Sequence, residues 1–186
     1  AKIRFIGSTH PAGSKFDRGD NQQNAFLLSA VDHLSLESLK IVNSFDAIHI
    51  EGNASHFNDG VQVMGCELAT NWNSGVSFNY STNILIAGCD VHDNQYYGLW
   101  GLWNGNSGIL RSNQLYRTGY YDGARVWGGP LLLEGNVAFR NGARGIQAIT
   151  RVTCKGNTVF SNNSDGIYVE GSAANPSEAV ENRIFL

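Results

Sequence analysis

Three cysteines, three prolines and one methionine are all that the 186 residues hold of those types. Cys66, Cys89 and Cys154 cannot close a paired disulfide framework, and their number neither demands nor excludes an oxidising compartment. No CxxC occurs and no His/Cys cluster has zinc spacing, so no structural metal is expected. Charge is also scarce. Asp, Glu, Lys and Arg make up 16% of the chain, the net charge is −3, and no basic patch stands out, which argues against a nucleic-acid partner. No apolar run approaches the ~20 residues of a membrane span, so no membrane partner is expected. The opening "AKIRFIGST" lacks a starting Met and the pattern of a signal peptide, as in a mature chain or an excised fragment.

Glycine, by contrast, is abundant at 22 residues, and asparagine is plentiful. That mixture marks many tight turns that need a positive φ. A hydrophobic content of 42% suits one domain with a sizeable core.

A pattern recurs along the chain: apolar-x-apolar, then x-x-(Cys/Asn)-x-apolar, a polar turn, and Gly-apolar-x-apolar. Copies are "VQVMGCELATNWNSGVSF" from Val61, "ILIAGCDVHDNQYYGLWG" from Ile84, "GILRSNQLYRTGYYDGARVW" from Gly108, "LLLEGNVAFRNGARGIQAI" from Leu131 and "VTCKGNTVFSNNSDGIYV" from Val152. A degenerate copy starts at Leu34, and an earlier one is split between "IRFIG" and "NAFLLS". The marker position falls at Leu39, Cys66, Cys89, Asn113, Asn136 and Asn157, with steps of 27, 23, 24, 23 and 21. Within each copy the apolar residues alternate with period two over three short runs, which are strands and not helices. Three strands per ~23 residues describe one coil of a parallel β-helix, and the chain holds about seven such coils. Equivalent residues then stack ~4.8 Å apart. Asn113, Asn136 and Asn157 should form an amide ladder, continued by Cys66 and Cys89 as small buried thiols.

With its "G-N-x-apolar" turns and "D-G-apolar-x-apolar" strands, nearly the whole chain resembles the right-handed parallel β-helix superfamily of pectate lyases, polygalacturonases and tailspikes. The resemblance implies an all-β solenoid and a polysaccharide or glycan lying along the strand after the main turn. In that strand, Ile48/Ile50, Val76/Phe78, Ile146/Ala148 and Ile167/Val169 should face inward. Alternation turns His49, Ser77, Trp100, Arg125, Gln147 and Tyr168 outward. A row just before the glycine holds Asp46, Ser74, Tyr97, Asp122, Arg144 and Asp165. A row beyond the strand's middle holds Glu51, Asn79, Trp127 and Glu170.

The stretch "YYGLWGLWNG", residues 96–105, carries two Tyr and two Trp. With Leu99 inward and Trp100 outward, its rings join Tyr120, Tyr121 and Trp127 of the next coil in an aromatic surface suited to sugar rings. Tyr97, Trp100, Trp103, Tyr121, Trp127, Gln147, Tyr168 and Glu170 are the expected ligand contacts.

Asp122 and Asp165 stand two coils apart with Arg144 between them, a pair of carboxylates for glycoside hydrolysis or a structural ion-pair row. The polygalacturonase motifs "NTD", "DD", "GHG" and "RIK" are absent. Arg125 and Arg144 are the candidates for lyase-type proton abstraction or carboxylate neutralisation. His49, near Asp46 and Glu51, is the best acid/base candidate by residue type, whereas His92 reads as a solvated turn residue. Alginate epimerases of this superfamily carry "YGFDPH" where this chain has "YGLWGL". Trp100 replaces their Asp and Leu102 their His, which speaks against that activity at this coil. No cofactor motif is seen. Lyases of the resembled fold are often helped by Ca2+, which stays open here although the calcium nonapeptide GGxGxD is missing and Glu51, Asp59 and Glu170 form no recognisable cluster.

The expectation is therefore one domain over 1–186 that is a fragment of a longer solenoid. It carries a polar insertion loop at 7–24 and a C-terminal turn or cap at 171–186, the latter with a helical turn at "NPSEAVEN". Its open ends call for neighbouring coils or a homo-oligomer. The leading reading is an extracellular or cell-surface carbohydrate-active protein. The alternative is a structural or adhesive β-helix such as a tailspike shaft or surface-fibre segment.

Overall fold

The computed structural model describes residues 3–8, 14–102 and 105–185. Among them there is no helix; short strands wind into three parallel sheets of eight, eight and seven strands, about seven coils in all. The first sheet runs from Ile3–Ile6 through Leu34–Glu37 and Ile84–Ala87 to Glu178–Val180. The second runs from Ser14–Asp17 through Asp90–His92 to Arg183–Phe185. The third stacks Phe26–Ser29, Ile48–Glu51, Ser74–Asn79, Tyr97–Gly101, Ala124–Trp127, Ile146–Ile149 and Ile167–Glu170.

Alternation fills the tube. Leu36, Val63, Ile86, Leu110, Leu133 and Cys154 are register partners in the first sheet and all are buried. Ile41, Leu68, Val91, Leu115, Ala138 and Val159 do the same in the second. Sizes compensate between rungs: Phe78 pairs with Gly101, where an added Cβ would stand 2.7 Å from the Phe78 ring.

The expected amide ladder is present. Asn113 Nδ2 donates to Asn136 Oδ1 at 3.0 Å and Asn136 Nδ2 to Asn157 Oδ1 at 3.0 Å. Asn157 Nδ2 donates in turn to Asn182 Oδ1 at 2.9 Å, one rung further than the sequence pattern reached. At the other end the Cys89 N–H donates to Asn113 Oδ1, and Cys66 sits in the next rung. The residue before each ladder position is left-handed, with φ of 62° at both Gly135 and Gly156, which accounts for the recurring "GN". A second ladder at the next turn escaped the sequence pattern. Ser44, Asn71 and Asn94 are linked there, as are Asn141 and Asn162, whose amides meet at 2.9 Å.

The three thiols are free and buried, and burial pushes Cys154 up to about 12. Because all three sulfurs are buried, a thiol reagent at neutral pH is expected to label none of them in the folded protein and all three after unfolding. Rapid labelling of the native chain, followed by mass spectrometry, would contradict this packing.

Three expectations change. Within 7–24, Ser14–Asp17 is not loop but a strand paired with Leu39–Val42, its "SKFD" alternation being too short to recognise alone. The stretch "NPSEAVEN" forms no helical turn. Glu178–Val180 and Arg183–Phe185 extend the first two sheets, because Asn182 continues the ladder and Ile184 pairs with Val159. His92 is no solvated turn residue. It closes the strand Asp90–His92 and begins an outward stack with Tyr116, Phe139 and Phe160, whose ring centroids lie 5.0, 4.8 and 5.0 Å apart.

Candidate functional site

The outward row of the third sheet is continuous in register: Leu27, His49, Ser77, Trp100, Arg125, Gln147 and Tyr168. Their strand neighbours Ile48, Val76, Leu99, Ala124 and Ile146 point into the core. Beyond them Glu51 pairs with Asn79, and Trp127 with Ile149 and then Glu170. The strands approach this closely because of the glycine column before them. A Cβ on Gly98 would lie 2.3 Å from the Gly123 carbonyl oxygen of the next coil.

The aromatic surface divides into exposed and covered rings. Tyr97 lies between Trp100 and Tyr121, stacked at 5.0 and 5.1 Å, and is itself buried. It therefore supports Trp100 from beneath and presents little area of its own. Trp100 is half-buried, while Tyr120 and Tyr121 are exposed. Trp103 lies outside the described residues. Burial pushes the Tyr97 phenol up, countered in part by Arg125, whose Nη1 donates to the Tyr97 hydroxyl at 3.1 Å. The Arg125 guanidinium also lies over Trp127, 5.7 Å from the ring centroid. Two neighbouring polar atoms here, Arg125 Nε and Gln147 Oε1, are buried without a hydrogen-bond partner among the described residues. Arg144 lies over Tyr168 at 4.7 Å, and the Tyr168 hydroxyl donates to Glu170 Oε2 at 3.2 Å.

Asp122, Arg144 and Asp165 do come together. Arg144 Nε donates to Asp165 Oδ2 at 3.0 Å, and its backbone N–H donates to Asp122 Oδ1 at 2.9 Å. The two carboxylates are unlike. Asp165 is exposed, whereas Asp122 is 2% exposed and burial pushes its carboxyl up. Asp46 occupies the same row and likewise accepts a backbone N–H from the next coil, that of Ser74 at 3.0 Å. Asp46 and Asp122 thus each tie their turn to the backbone of the next coil, whereas Asp165 holds the Arg144 side chain instead.

His49 is held more fully than its sequence neighbours suggest. Its Nδ1 lies 3.2 Å from Asp46 Oδ2 and 2.5 Å from Ser77 Oγ, and Ser77 Oγ donates to Asp46 Oδ2 at 2.7 Å. Nε2 lies 3.9 Å from Glu51 Oε2. Ser77, fully buried one coil away, is the member that alternation placed in the row without assigning it a part. No group of three or more His, Cys, Asp or Glu suited to a metal ion occurs among the described residues.

Three parallel sheets around one core, with one outward side chain per coil drawn into rows, define a parallel β-solenoid. The chain belongs to the right-handed β-helix family, whose profile, "Right handed beta helix region", matches residues 13–126 and 46–185. A search of curated protein sequences finds no match. Among solved structures the chain is similar to the A-module of mannuronan C-5 epimerase AlgE6 from Azotobacter vinelandii. That match has a TM-score of 0.75 at 14% identity and covers 87% of this chain and 48% of the module. Pectate lyase Pel9A matches with a TM-score of 0.56 at 12% identity, over 98% of this chain and 63% of the lyase. The Streptococcus pneumoniae surface protein and adhesin PfbA matches with 0.54 at 9% identity, over 88% of this chain and 61% of the adhesin. At such identities the likeness is one of fold, and the chain spans about half to two thirds of each of these structures.

Proposed function

We propose that the chain binds a polysaccharide along the outward face of its third sheet, and that it does so outside the cell or at its surface. The observation that carries this reading is the unbroken row from His49 to Tyr168. In it, Trp100 stands on a supporting stack of Tyr97 and Tyr121, and Arg125 stands in the next rung. A flat ring held in place binds the C–H face of a sugar with little loss of entropy, and side chains repeating every ~4.8 Å suit a polymer better than a small molecule. Solved structures of the same fold include an alginate epimerase module, a pectate lyase and a surface adhesin, and these are compatible with the reading.

Binding is better supported than cleavage. Hydrolysis needs two carboxyl groups free to face the bond, and Asp122 is committed to the Arg144 backbone. Asp122, Arg125, Arg144, Asp165 and His49 remain the residues at which any chemistry would take place.

The test is gel retardation with alginate and polygalacturonate, alongside a glycan array, with the wild type and Trp100→Ala. Retention of the wild type is expected, with a loss of about 2 kcal/mol, near thirtyfold, in the variant. Unsaturated ends and reducing sugar, followed in the same samples, report lyase and hydrolase activity. No retention on any glycan would overturn the reading in favour of a structural or adhesive β-helix.

A further inference from the structure

We propose that His49 and Glu51 form a subsite for a vicinal diol of the bound saccharide, with Asp46 and Ser77 as the positioning residues that set the tautomer of His49. The inference rests on the polysaccharide reading and gives one rung of the face a chemical preference.

Asp46 is surrounded by donors. Its Oδ1 accepts from Asn73 Nδ2 at 2.8 Å, the Ser74 N–H at 3.0 Å and Ser74 Oγ at 2.5 Å. Its Oδ2 accepts from Ser77 Oγ at 2.7 Å. A buried carboxylate needs such donors. With the Ser77 hydroxyl hydrogen directed at Asp46, Ser77 Oγ can only accept from His49. Both oxygens facing Nδ1, those of Ser77 and Asp46, are thus acceptors. Nδ1 must carry the proton, and neutral imidazole then leaves Nε2 as a bare acceptor.

Nε2 lies on the Glu51 side of the ring, where the Glu51 side chain is 52% exposed against 2% for Asp46. Two acceptors 3.9 Å apart, one on an imidazole whose side chain is 19% exposed and one on a carboxylate that is 52% exposed, match two adjacent hydroxyls that each donate one hydrogen bond. A sugar diol has that form. A uronate carboxylate has no hydrogen to give and would meet two acceptors, so it is disfavoured at this rung. Arg125 stands three rungs along the same row, ~14 Å away by strand spacing, with Trp100 between them. The face therefore has a direction: hydroxyl edges are read at His49 and Glu51, and a cation waits beyond the aromatic platform.

The experiment is nitrogen-15 NMR of the histidines at mildly alkaline pH, with His49→Gln to assign the signals, followed by retardation on alginate and polygalacturonate. His49 is expected to show a protonated Nδ1 and a pyridine-type Nε2. Asp46→Asn, which turns an amide towards the ring, is expected to shift it to the other tautomer. Asp46→Asn and Glu51→Ala are each expected to weaken retention about five- to tenfold, as for the loss of one hydrogen bond. A wild-type ring protonated at Nε2, or wild-type retention by both variants, would overturn the subsite and leave polysaccharide binding standing. Failure of the wild type itself to be retained on either gel or on any glycan of the array would remove the polysaccharide reading, and the diol subsite with it. The wild-type spectrum reads the tautomer even where a variant folds poorly.

Discussion

Asn136→Leu is expected to destabilise the protein by about 3–5 kcal/mol, because it leaves two buried donors without partners at about 1–3 kcal/mol each and removes its own bonds as well. Asn136 Oδ1 accepts from both the backbone N–H and the Nδ2 of Asn113, each at 3.0 Å. Its Nδ2 donates to the Leu110 carbonyl at 2.9 Å and to Asn157 Oδ1 at 3.0 Å. Leucine fills a similar space and can satisfy none of these groups, and water cannot reach a position that is 1% exposed. For a chain of this size a kcal/mol corresponds to about 2–4 °C, so the melting temperature should fall by about 10 °C. Asn163→Ala, at an exposed neighbouring turn, serves as the control and should change stability by less than about 0.5 kcal/mol. Melting followed by circular dichroism decides the matter, and equal midpoints for Asn136→Leu and the wild type would mean that the ladder contributes nothing.

Gly98→Ala should cost about 2–4 kcal/mol, summing overpacking and one weakened backbone bond. The added methyl would stand 2.3 Å from the Gly123 carbonyl oxygen. That oxygen accepts the Leu99 N–H at 3.0 Å and belongs to the backbone of the next coil, so it cannot swing aside like a side chain. Relief requires the coils to separate where Leu99 enters the core and Trp100 leaves it. The variant should therefore lose melting temperature and polysaccharide retention together, whereas Trp100→Ala should lose retention alone. An unchanged midpoint for Gly98→Ala would show that the rungs can part at this point without penalty.

The period-two alternation made the fold and the outward row legible. Leu99 turns inward and Trp100 outward because a strand offers no other choice once one face is buried. What escaped depends on contacts across coils of unequal length. His49 meets Ser77 across 28 residues, in a longer coil than the ~23-residue copies around it, so the Asp46–Ser77–His49 cluster needed the register itself. The burial of Tyr97 follows from rings stacking on it from within its own strand and from the next coil, which depends on rotamers. In "YYDG", Asp122 reads equally as a catalytic carboxylate or as a member of a structural row, and only the register shows it bound to the following coil's backbone. The second amide ladder was hidden because its asparagines follow left-handed residues other than glycine, Thr70, Asp93 and Arg140 among them, and so carry no "GN" marker.

Because every rung meets only the one before and the one after, the molecule can be shortened as a stack of plates can. Excising residues 108–130 as a block would seat Leu131 where Gly108 met Ile84, and Ile146 where Ala124 met Leu99. Gln147 would then stand beside Trp100 and the guanidinium rung would vanish, with the tube's diameter and seams unchanged. Length and composition of the gripping edge are in this way separable from the width of the barrel that carries it, so one plate can be exchanged without re-solving the rest.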